Sequence, residues 1–382
     1  MLFKTIIKAD RNYFKCTIPA EFCKQNKITV SDYLKIKIND KIFPVKVCGS
    51  PDKRINLPLY LCKSLNLKPE NIIEVEIIEK LERRKRKIKI IENYGGYFLD
   101  LYYSLPTRQV HANKELIIFI ENNELLVWGK GARNSIQMPR YIELDDRFFE
   151  IFGLYQGEGY KKQPNFGARV QFSNSNPEII NSFLDYFSEK FNLIRNNWNA
   201  SIGYYGKLDK IKVISYWSKI TKIEKENIKR VVFYKAKGED YKKYGTLNIF
   251  IISSILVEII LGLLNCTQFL IMKRKKWARA FLRGLLAADG SVKLMKYKNM
   301  TSLQMIELAL ENKVESKFYK NIFKKIGIKT NDYTQRRKLM ISNWRNFKVL
   351  AQFNAFKLHK EKNEKFWIGF ENHTKTAEFL GL

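Results

Sequence analysis

The sequence predicts an α+β protein in which a small, mostly β N-terminal domain precedes a larger domain made of two similar halves. Three observations lead to this prediction. The first eighty residues contain one strand-rich pattern twice. Two segments in helical patterns, 151–159 and 282–290, both end in an acidic residue followed by glycine. Apolar residues make up 45% of the 382 positions, which is the share found in packed globular domains.

The net charge narrows the choice of partner. The chain has 69 Lys and Arg against 38 Asp and Glu, which gives a formal charge of +31. Because so large a charge repels itself unless a polyanion neutralises it, nucleic acid is the expected partner. The five cysteines are odd in number and form no C-x-x-C pair, so they indicate neither a disulfide framework nor a zinc site.

The N-terminus lacks the apolar segment that a signal peptide carries. Residues 247–264 are apolar over nearly the length of a membrane span, but Asn248, Ser253, Ser254 and Glu258 interrupt them. We therefore predict that this segment is a buried helix. We expect the protein to be cytoplasmic, associated with the nucleoid and not inserted in a membrane.

The N-terminal pattern is an internal repeat. Residues 18–38 and 57–77 align without a gap at an offset of 39 residues. In each copy a proline, Pro19 or Pro58, stands where a short helix begins, and its fixed φ suits that position. A polar turn and an alternating strand follow, and a period of two predicts one buried face. Since one copy is too small to bury this face alone, we predict that both form a single domain over residues 1–80.

This strand–proline–helix–turn–strand unit resembles the AbrB-like swapped-hairpin DNA-binding domains. In that family two copies interleave into one barrel, usually as a homodimer, whereas here both copies lie in one chain. The resemblance implies an intramolecular barrel that contacts DNA, and a purely structural barrel is the alternative. The family commonly has Gly-Asp in its turn, whereas this chain has Ser31-Asp32 and Glu70-Asn71.

Residues 81–140 are expected to connect the two domains. They begin with the basic run RRKRKIK at 83–89, for which a linker lying on phosphates and a solvated surface are the two alternatives. The segments LIIFI and LLVW flank residues 121–124 and predict a β-hairpin. The residues of the basic run that we assign to DNA are Arg83, Arg84, Lys85, Arg86 and Lys87.

Two short segments carry the chemistry: IFGLYQGEG at 151–159 and LRGLLAADG at 282–290. Each has small residues four positions apart, and small residues let two helices approach closely. Because glycine costs about 1 kcal/mol relative to alanine in a helix interior, two helices that carry it on matching faces are expected to pack together. The glycine after each acid predicts a helix end with positive φ. The small residues are Gly153 and Gly157 in the first segment and Gly284 and Ala288 in the second.

Packing of these helices would bring together the acids at their ends, Glu158 and Asp289. Two carboxylates at close range repel one another unless a cation lies between them. Oxygen ligands with open water positions suit Mg²⁺, and a paired-carboxylate Mg²⁺ site on a basic protein suits hydrolysis of phosphodiester bonds. The sequence therefore predicts that Glu158 and Asp289 bind Mg²⁺, with Mn²⁺ as a substitute.

These segments resemble the paired motifs of LAGLIDADG homing endonucleases, over about residues 141–375. The second is close to the family pattern, and the first departs from it at Gln156, where the name motif has aspartate. The resemblance implies two pseudo-symmetric αββαββα halves, about 141–266 and 267–375, within an endonuclease domain at 141–382. It implies saddle-shaped antiparallel sheets that lie over DNA. It also implies a metal site formed by Glu158, Asp289, Gly157 and Ala288.

The resemblance further implies residues that surround the metal and line the saddle. Lys161 and Lys293 follow the two acids closely, so both are assigned to catalysis beside them. Gln171 is assigned likewise, because it stands where the family often has Gln, with Asn174 as an alternative. The residues assigned to DNA here and before the last helix are Arg169, Gln171, Arg336, Arg337, Lys338, Lys357 and Lys362.

The leading hypothesis for function is a site-specific endonuclease that cuts both strands of double-stranded DNA with a divalent metal. Because both halves lie in one chain, it would act as a monomer. A second hypothesis is a DNA-binding transcriptional regulator that keeps the fold without cleavage. A third is an RNA maturase with intron RNA as its partner. The two retained acids favour the enzyme, whereas the regulator-like repeat favours the second hypothesis.

Overall fold

The computed structural model describes residues 1–10, 13–49, 51–81, 85–109, 114–129, 135–161, 168–205, 208–234, 244–297, 300–333 and 337–379. The chain divides into two compact units. The N-terminal unit comprises Met1–Ile91, Leu99–Ile142 and Ser254–Gly262, and the C-terminal unit comprises Glu92–Phe98, Glu143–Ser253 and Leu263–Leu382. Both helices and strands contribute throughout, so the predicted α+β class is confirmed.

Short helices and strands alternate in the first part of the chain, and longer helices follow. The helices are α1 (Ala20–Gln25), α2 (Leu59–Ser64), α3 (Leu101–Ser104), α4 (Asp146–Glu158), α5 (Pro177–Phe191), α6 (Lys210–Thr221), α7 (Ser254–Leu270), α8 (Lys275–Asp289), α9 (Lys313–Lys325), α10 (Trp344–Gln352) and α11 (Lys360–Phe379). The strands up to the first motif are β1 (Leu2–Asp10), β2 (Tyr13–Thr17), β3 (Tyr33–Ile38), β4 (Lys41–Cys48), β5 (Arg54–Pro58), β6 (Ile72–Leu81), β7 (Ile90–Asn93), β8 (Gly96–Asp100), β9 (Arg108–Gln109), β10 (Lys114–Glu121), β11 (Glu124–Gly129), β12 (Ile136–Pro139) and β13 (Tyr141–Glu143). The later strands are β14 (Arg169–Asn174), β15 (Asn199–Tyr205), β16 (Ile228–Tyr234), β17 (Thr246–Ile252), β18 (Gly290–Tyr297), β19 (Met300–Ala309), β20 (Asn331–Tyr333) and β21 (Lys338–Ile341).

Six strands of the N-terminal unit close into a barrel in the order β1-β2-β5-β4-β3-β6. At the same 39-residue offset β1, β2 and β3 match β4, β5 and β6, so the two structural copies begin before the aligned residues 18–38 and 57–77. The copies interleave, because β1 pairs with β6 of the other copy and β3 pairs with β4. The barrel predicted within one chain is confirmed, while the resemblance to AbrB-like DNA-binding domains stays a prediction. The inward residues of β3 and β6 are Leu34, Ile36, Ile38, Ile73, Val75 and Ile77.

Residues that match in the sequence repeat, 39 positions apart, also have the same backbone conformation in the turns. Ser31 and Glu70 occupy matching turn positions and both have positive φ, 78° and 68°. The residue after each, Asp32 or Asn71, accepts the backbone N–H three positions earlier at 2.7 Å. These turns thus keep a left-handed backbone, which glycine adopts easily and other residues adopt at a cost.

The hairpin predicted around residues 121–124 is confirmed. Strands β10 and β11 pair antiparallel, with Glu121 opposite Glu124 across a two-residue turn. Asn122 and Asn123 both have positive φ, 48° and 64°, which is the type I′ geometry that matches the twist of paired strands. The hairpin belongs to a four-stranded sheet of order β12-β11-β10-β9.

The second half of the C-terminal unit follows the element order that the family resemblance implies. Helix α8 leads to β18 and β19, α9 leads to β20 and β21, and α10 and α11 complete the half. The four strands form an antiparallel sheet of order β18-β19-β21-β20. Alternate residues of β19 and β21 are buried, so the strands turn their remaining side chains to the opposite face. The buried residues are Leu303, Ile306, Leu308, Leu339 and Ile341.

The first half elaborates this order. Among the described residues, one strand, β14, lies between the motif helix α4 and α5, and the crossover helix α6 joins β15 to β16. Strands β15 and β16 pair in parallel, which requires such a crossover, whereas the other pairs are antiparallel. The sheet order is β14-β17-β15-β16. The two halves therefore match around their motif helices and diverge further along the chain.

The prediction of a single buried helix over residues 247–264 is wrong. The first part of this segment is strand β17 and the second part belongs to helix α7. Leu247 and Ile249 are buried while Asn248 between them is partly exposed, so the period of a strand decides the first part. In the described part of the chain, no helix has the length and apolarity needed to cross a membrane.

Candidate active site

The two motif helices, α4 and α8, pack along their small residues. A Cβ added to Gly284 would overlap the carbonyl oxygen of Glu150, and one added to Gly153 would overlap a carbonyl oxygen of α8. A Cβ on Gly157 would lie 2.6 Å from the Cβ of Ala288. Backbone approaches backbone at the first two of these points, so the packing predicted from the small residues is confirmed.

The glycine after each acid has a different role from the predicted one. Gly159 has a φ of −81° and Gly290 a φ of −71°, so the prediction of positive φ is wrong. Space is the reason for glycine instead. A Cβ on Gly159 would collide with the ring and the carbonyl oxygen of Tyr155, and one on Gly290 would lie 3.0 Å from the Cα of Leu286. The chain leaves each helix so close to the preceding turn that a side chain does not fit.

A buried group of ion pairs joins the two helices. Arg283 of α8 donates to Glu150 at 2.6 Å and to Asp146 at 2.7 Å, both on α4. Arg283 is 7% exposed and Glu150 is 6% exposed. Lys357, which the sequence assigned to DNA, lies 2.8 Å from the same Glu150 carboxylate. Because a buried charge must be paired, these contacts hold α4 in one position along α8.

The two motif acids lie at the C-terminal ends of α4 and α8, and these two helix ends are close together. Glu158 is the last residue of α4 and Asp289 is the last residue of α8. The Oδ2 atom of Asp289 lies 3.1 Å from the position that a Cβ of Gly157 would take, one residue before Glu158. Asn174 of β14 donates to the Oε1 atom of Glu158 at 3.4 Å. The packing of small residues thus brings the two ends together, as the sequence predicted.

The carboxylate of Asp289 lacks full compensation for its charge. Burial raises the pKa of Asp289 to about 6, and the nearby Glu315 and Glu311 raise it while Lys161 and Lys362 lower it. The ionised form is therefore disfavoured relative to an exposed aspartate. A divalent cation at this carboxylate would supply the missing compensation.

A lysine ammonium lies at the C-terminal carbonyls of each motif helix. Lys161 Nζ donates to Gln156 O of α4 at 2.5 Å. Lys362 Nζ donates to Ala287 O and Ala288 O of α8 at 2.6 and 2.9 Å. Gln156 and Ala287 hold the same position in the two motifs, so lysines from unrelated parts of the chain reach equivalent places. A cation here is favoured by the negative end of the helix dipole.

Lys293 and Gln171 lie on the sheets rather than at the helix ends. Lys293 is half-exposed on β18, and its Nζ atom lies 3.9 Å from the Glu307 carboxylate. Gln171 lies on β14, and its backbone carbonyl accepts an N–H just after the first motif at 2.9 Å. The second-half counterpart of Lys161 is thus Lys362 and not Lys293.

The residues around the two acids fit an oxygen-binding divalent cation. The Oε1 atom of Gln171 is buried and, within the described residues, has no hydrogen-bond partner. Across the same residues, no three His, Cys, Asp or Glu side chains gather into a complete metal site. Mg²⁺ commonly takes one or two carboxylates and completes its shell with water and substrate phosphates. Glu158 and Asp289 are therefore carboxylates that Mg²⁺ would accept, with water and substrate phosphate oxygens completing its shell.

Basic side chains lie on the sheets of both halves. On the first-half sheet, Arg169 lines a groove of about 450 Å³ together with Lys229 and Arg230. On the second-half sheet, Lys338 Nζ lies 2.8 Å from the Glu307 carboxylate. Arginine and lysine side chains of this kind are the groups that contact DNA phosphates.

The structure describes four further residues that the sequence assigned to DNA. Arg337 is exposed in the turn before β21 and has a φ of 51°. In the N-terminal unit, Lys85, Arg86 and Lys87 are exposed, and Arg86 donates to Ser104 O at 3.2 Å. Three further assignments fall outside the described residues: Arg83, Arg84 and Arg336.

Residues 276–352, which begin in α8 and end in α10, match the family model of the LAGLIDADG-like domain. This protein contains a LAGLIDADG-like domain. The match includes the second motif and the strands of the second-half sheet, and it confirms the resemblance that the sequence predicted. The first LAGLIDADG motif, at 151–159, precedes the matched residues.

Several solved LAGLIDADG structures are similar to the chain. One, of mesophilic variants of the homing endonuclease I-DmoI, is 12% identical with a TM-score of 0.34, and the alignment covers 56% of this chain and 99% of that chain. The N-terminal LAGLIDADG domain of DUF199/WhiA is 12% identical with a TM-score of 0.31, covering 57% and 86%. A double mutant of I-SmaMI is 11% identical with a TM-score of 0.34, covering 60% and 92%. No curated protein sequence matches the chain.

Glu315 is a carboxylate near Asp289 that the sequence did not single out. It lies in the first turn of α9, 3.2 Å from Lys161 Nζ. A signal for its local role was present, since Asn312 and Glu315 have the spacing of a capping box. Asn312 Oδ1 indeed accepts the N–H of Glu315 at 3.0 Å. That spacing predicts a helix start but not a contact with a lysine 154 positions earlier.

Proposed function

We propose that this protein is a site-specific DNA endonuclease of the homing type, which uses Mg²⁺ to hydrolyse one phosphodiester bond in each strand of a duplex. The close packing of α4 and α8 carries the proposal, because it brings together the helix ends that bear Glu158 and Asp289. The protein that holds these two acids has a net charge of +31, which suits a polyanionic substrate. The LAGLIDADG-like match over residues 276–352 supports it.

The side chains around the acids have distinct roles in this reaction. Bound Mg²⁺ would stabilise charge on the attacked phosphate and lower the pKa of a coordinated water. Glu158 and Asp289 hold the cations, each serving mainly one strand. Gln171, which stands where the family often has Gln, would orient the attacking water. Lys161 and Lys362 place positive charge where the phosphate enters.

Duplex DNA is the substrate that suits the sheets of the C-terminal unit. Arg169, Lys229 and Arg230 in the first half, and Lys338 in the second, can contact phosphates along both strands. The chain carries both motif helices, so a single molecule supplies both acids and acts as a monomer. The interleaved barrel and the basic residues Lys85–Lys87 add a further surface for DNA.

Cleavage of a randomised duplex library with Mg²⁺ tests the proposal. The wild-type protein should cut both strands at one defined sequence, which sequencing of the ends identifies. Asp289→Asn keeps the side-chain shape but loses the charge that holds the cation, so it should bind DNA as well or better, lose cleavage of the strand that Asp289 serves and make no double-strand break. Asp185→Asn on α5 is the matched control, because Asp185 is half-exposed and pairs with Arg195, and it should cut normally.

A DNA-binding regulator without cleavage is the second candidate. The interleaved pairing of the two barrel copies favours it, since this is the arrangement that the AbrB-like resemblance implies. Under this alternative the wild-type protein would select a specific duplex from the library and leave it uncut with either Mg²⁺ or Mn²⁺. A maturase would instead bind folded intron RNA in preference to any duplex.

The salt dependence of binding tests the choice of a polyanionic partner. Each phosphate that a protein neutralises contributes roughly −0.9 to the slope of log affinity against log salt concentration. Several contacts on the basic sheets should give a slope steeper than about −4 on duplex DNA. A flat response would contradict every nucleic-acid function considered for this protein.

A further inference from the structure

A buried polar cluster includes Lys161, and its other four members, Glu315, Gln156, Tyr319 and Gln268, have no part in the hydrolysis proposed above. Its centre is the Oε1 atom of Glu315, which accepts from Lys161 Nζ at 3.2 Å, from Gln156 Nε2 at 3.2 Å and from Tyr319 OH at 2.7 Å. Gln268 Nε2 donates to Gln156 Oε1 at 2.9 Å and extends the cluster to α7. We call these five residues the Glu315 cluster.

The carboxylate of Glu315 is held in its ionised form. Burial opposes ionisation, but the N–H of Glu311, the hydroxyl of Tyr319 and the charge of Lys161 outweigh it and lower the pKa of Glu315. The Glu311 N–H donates to the other carboxylate oxygen, Oε2, at 2.7 Å. Both oxygens are therefore fixed, and the negative charge facing Lys161 is permanent at neutral pH.

Lys161 is held more tightly than a surface lysine. Its side chain is 20% exposed and that of Glu315 is 10% exposed. The ammonium lies between the Glu315 carboxylate and Gln156 O, and its charge reaches Asp289.

We propose that Glu315 is a positioning residue, which holds Lys161 of the first half at the Asp289 centre of the second half. The inference rests on the proposed endonuclease function. It goes beyond that function, because it predicts that the Glu315 cluster supports cleavage of only one strand of the duplex. A difference between the two motifs supports this assignment. Gln156 can donate to Glu315, whereas Ala287 at the same position of the second motif cannot.

Strand-specific cleavage of end-labelled duplex tests the proposal in the full-length protein. Glu315→Gln keeps the shape of the side chain and removes the charge that holds Lys161. It should slow the strand that Asp289→Asn also slows by about 10- to 100-fold, the usual effect of losing a supporting residue. The other strand should be cut at the wild-type rate, so nicked duplex accumulates. In a Lys161→Met background Glu315→Gln should have no further effect.

The matched control is Asp332→Asn. Asp332 of β20 accepts from Lys320 at 2.5 Å and from Ser316 at 2.9 Å, so like Glu315 it is a carboxylate with a lysine and a hydroxyl as partners, but its lysine is not Lys161. This variant should leave the ratio of the two strand rates unchanged. Equal slowing of both strands by Glu315→Gln would indicate a merely structural role and overturn the inference.

A second measurement does not depend on cleavage. Lys161 should react several-fold faster with an amine-labelling reagent in Glu315→Gln than in the wild-type protein, as read by mass spectrometry, while Lys362 keeps its rate. Unchanged labelling of Lys161 would overturn the positioning role. The two proposals can also fail separately. If Lys161 is labelled faster in Glu315→Gln but the wild-type protein never cuts DNA, the contact between Glu315 and Lys161 is confirmed and the proposed function is contradicted.

Discussion

Replacing Gly284 by alanine should destabilise the C-terminal unit, although alanine is the better helix former. The substitution gains about 1 kcal/mol of helix propensity. Against this, the new Cβ would overlap Glu150 O and lie 2.7 Å from Leu154 N, where a side-chain carbon ordinarily keeps at least 3.4 Å. Both obstacles are backbone atoms of α4 and cannot rotate away, so the two helices must separate.

The expected net loss is about 1–3 kcal/mol, the usual cost of overpacking a close-packed core. Separation would also lengthen the 2.6 Å contact between Arg283 and Glu150, which the helices share. For a unit of this size, each kcal/mol lowers the melting temperature by about 2–4 °C. Movement of α8 would further draw Asp289 away from Glu158, so cleavage should fall more than stability alone explains.

Urea unfolding followed by tryptophan fluorescence measures this loss. Five of the six tryptophans lie in the C-terminal unit, and Trp277 is in α8 itself, so the signal reports mainly on the affected helices. Lys275→Ala, at an exposed position of the same helix, is the control and should change stability little. If Gly284→Ala is as stable as the wild-type protein, the close backbone contact between α4 and α8 is wrong, and the convergence of the acids fails with it.

Three further predictions concern other parts of the molecule. Ser31→Gly and Glu70→Gly should each stabilise the barrel by about 0.5–1 kcal/mol in thermal unfolding, because glycine removes the cost of a left-handed turn. Arg283→Ala should lower the free energy of unfolding in urea by about 3 kcal/mol or more, because it removes a positive charge that pairs with the buried Glu150 carboxylate. Calorimetric Mg²⁺ affinity should fall about tenfold per pH unit below about pH 6, since protonation of Asp289 competes with the metal as pH falls through its raised pKa.

Each of these has a control or a contradicting result. Ser31→Ala should not stabilise the barrel, because alanine has no advantage at positive φ, and a gain equal to that of glycine would refute the reasoning. Arg283→Ala with wild-type stability would show that Glu150 is compensated without it. Mg²⁺ affinity that stays constant between about pH 5 and pH 7 would exclude Asp289 as a ligand.

Local sequence pattern predicted the barrel, the packing of the two motif helices and the acids at their ends. The 39-residue repeat predicted the barrel, because each copy carries a proline at its helix start and a strand of period two. The paired small residues predicted the packing of α4 on α8, since small residues on matching faces of two helices let their backbones approach closely. The acid at each helix end followed directly from these motifs.

Tertiary contacts decided which side chains surround those acids. Lys293 follows Asp289 closely in sequence, yet its strand carries it to Glu307, while Lys362 arrives from α11 at the carbonyls of α8. The positive φ expected after each motif was wrong, because crowding by the preceding turn requires glycine there at an ordinary backbone angle.

The position of Glu315 shows why its contact with Lys161 could not be predicted from the sequence. Its spacing from Asn312 defines the start of α9 through contacts within four residues, which a local pattern can encode. Its contact with Lys161 joins residues 154 positions apart, and it exists only because α4 and α9 both pack near the end of α8. Periodicity and capping act over a few residues of one chain segment, whereas a contact between distant segments depends on how all the intervening helices and strands pack.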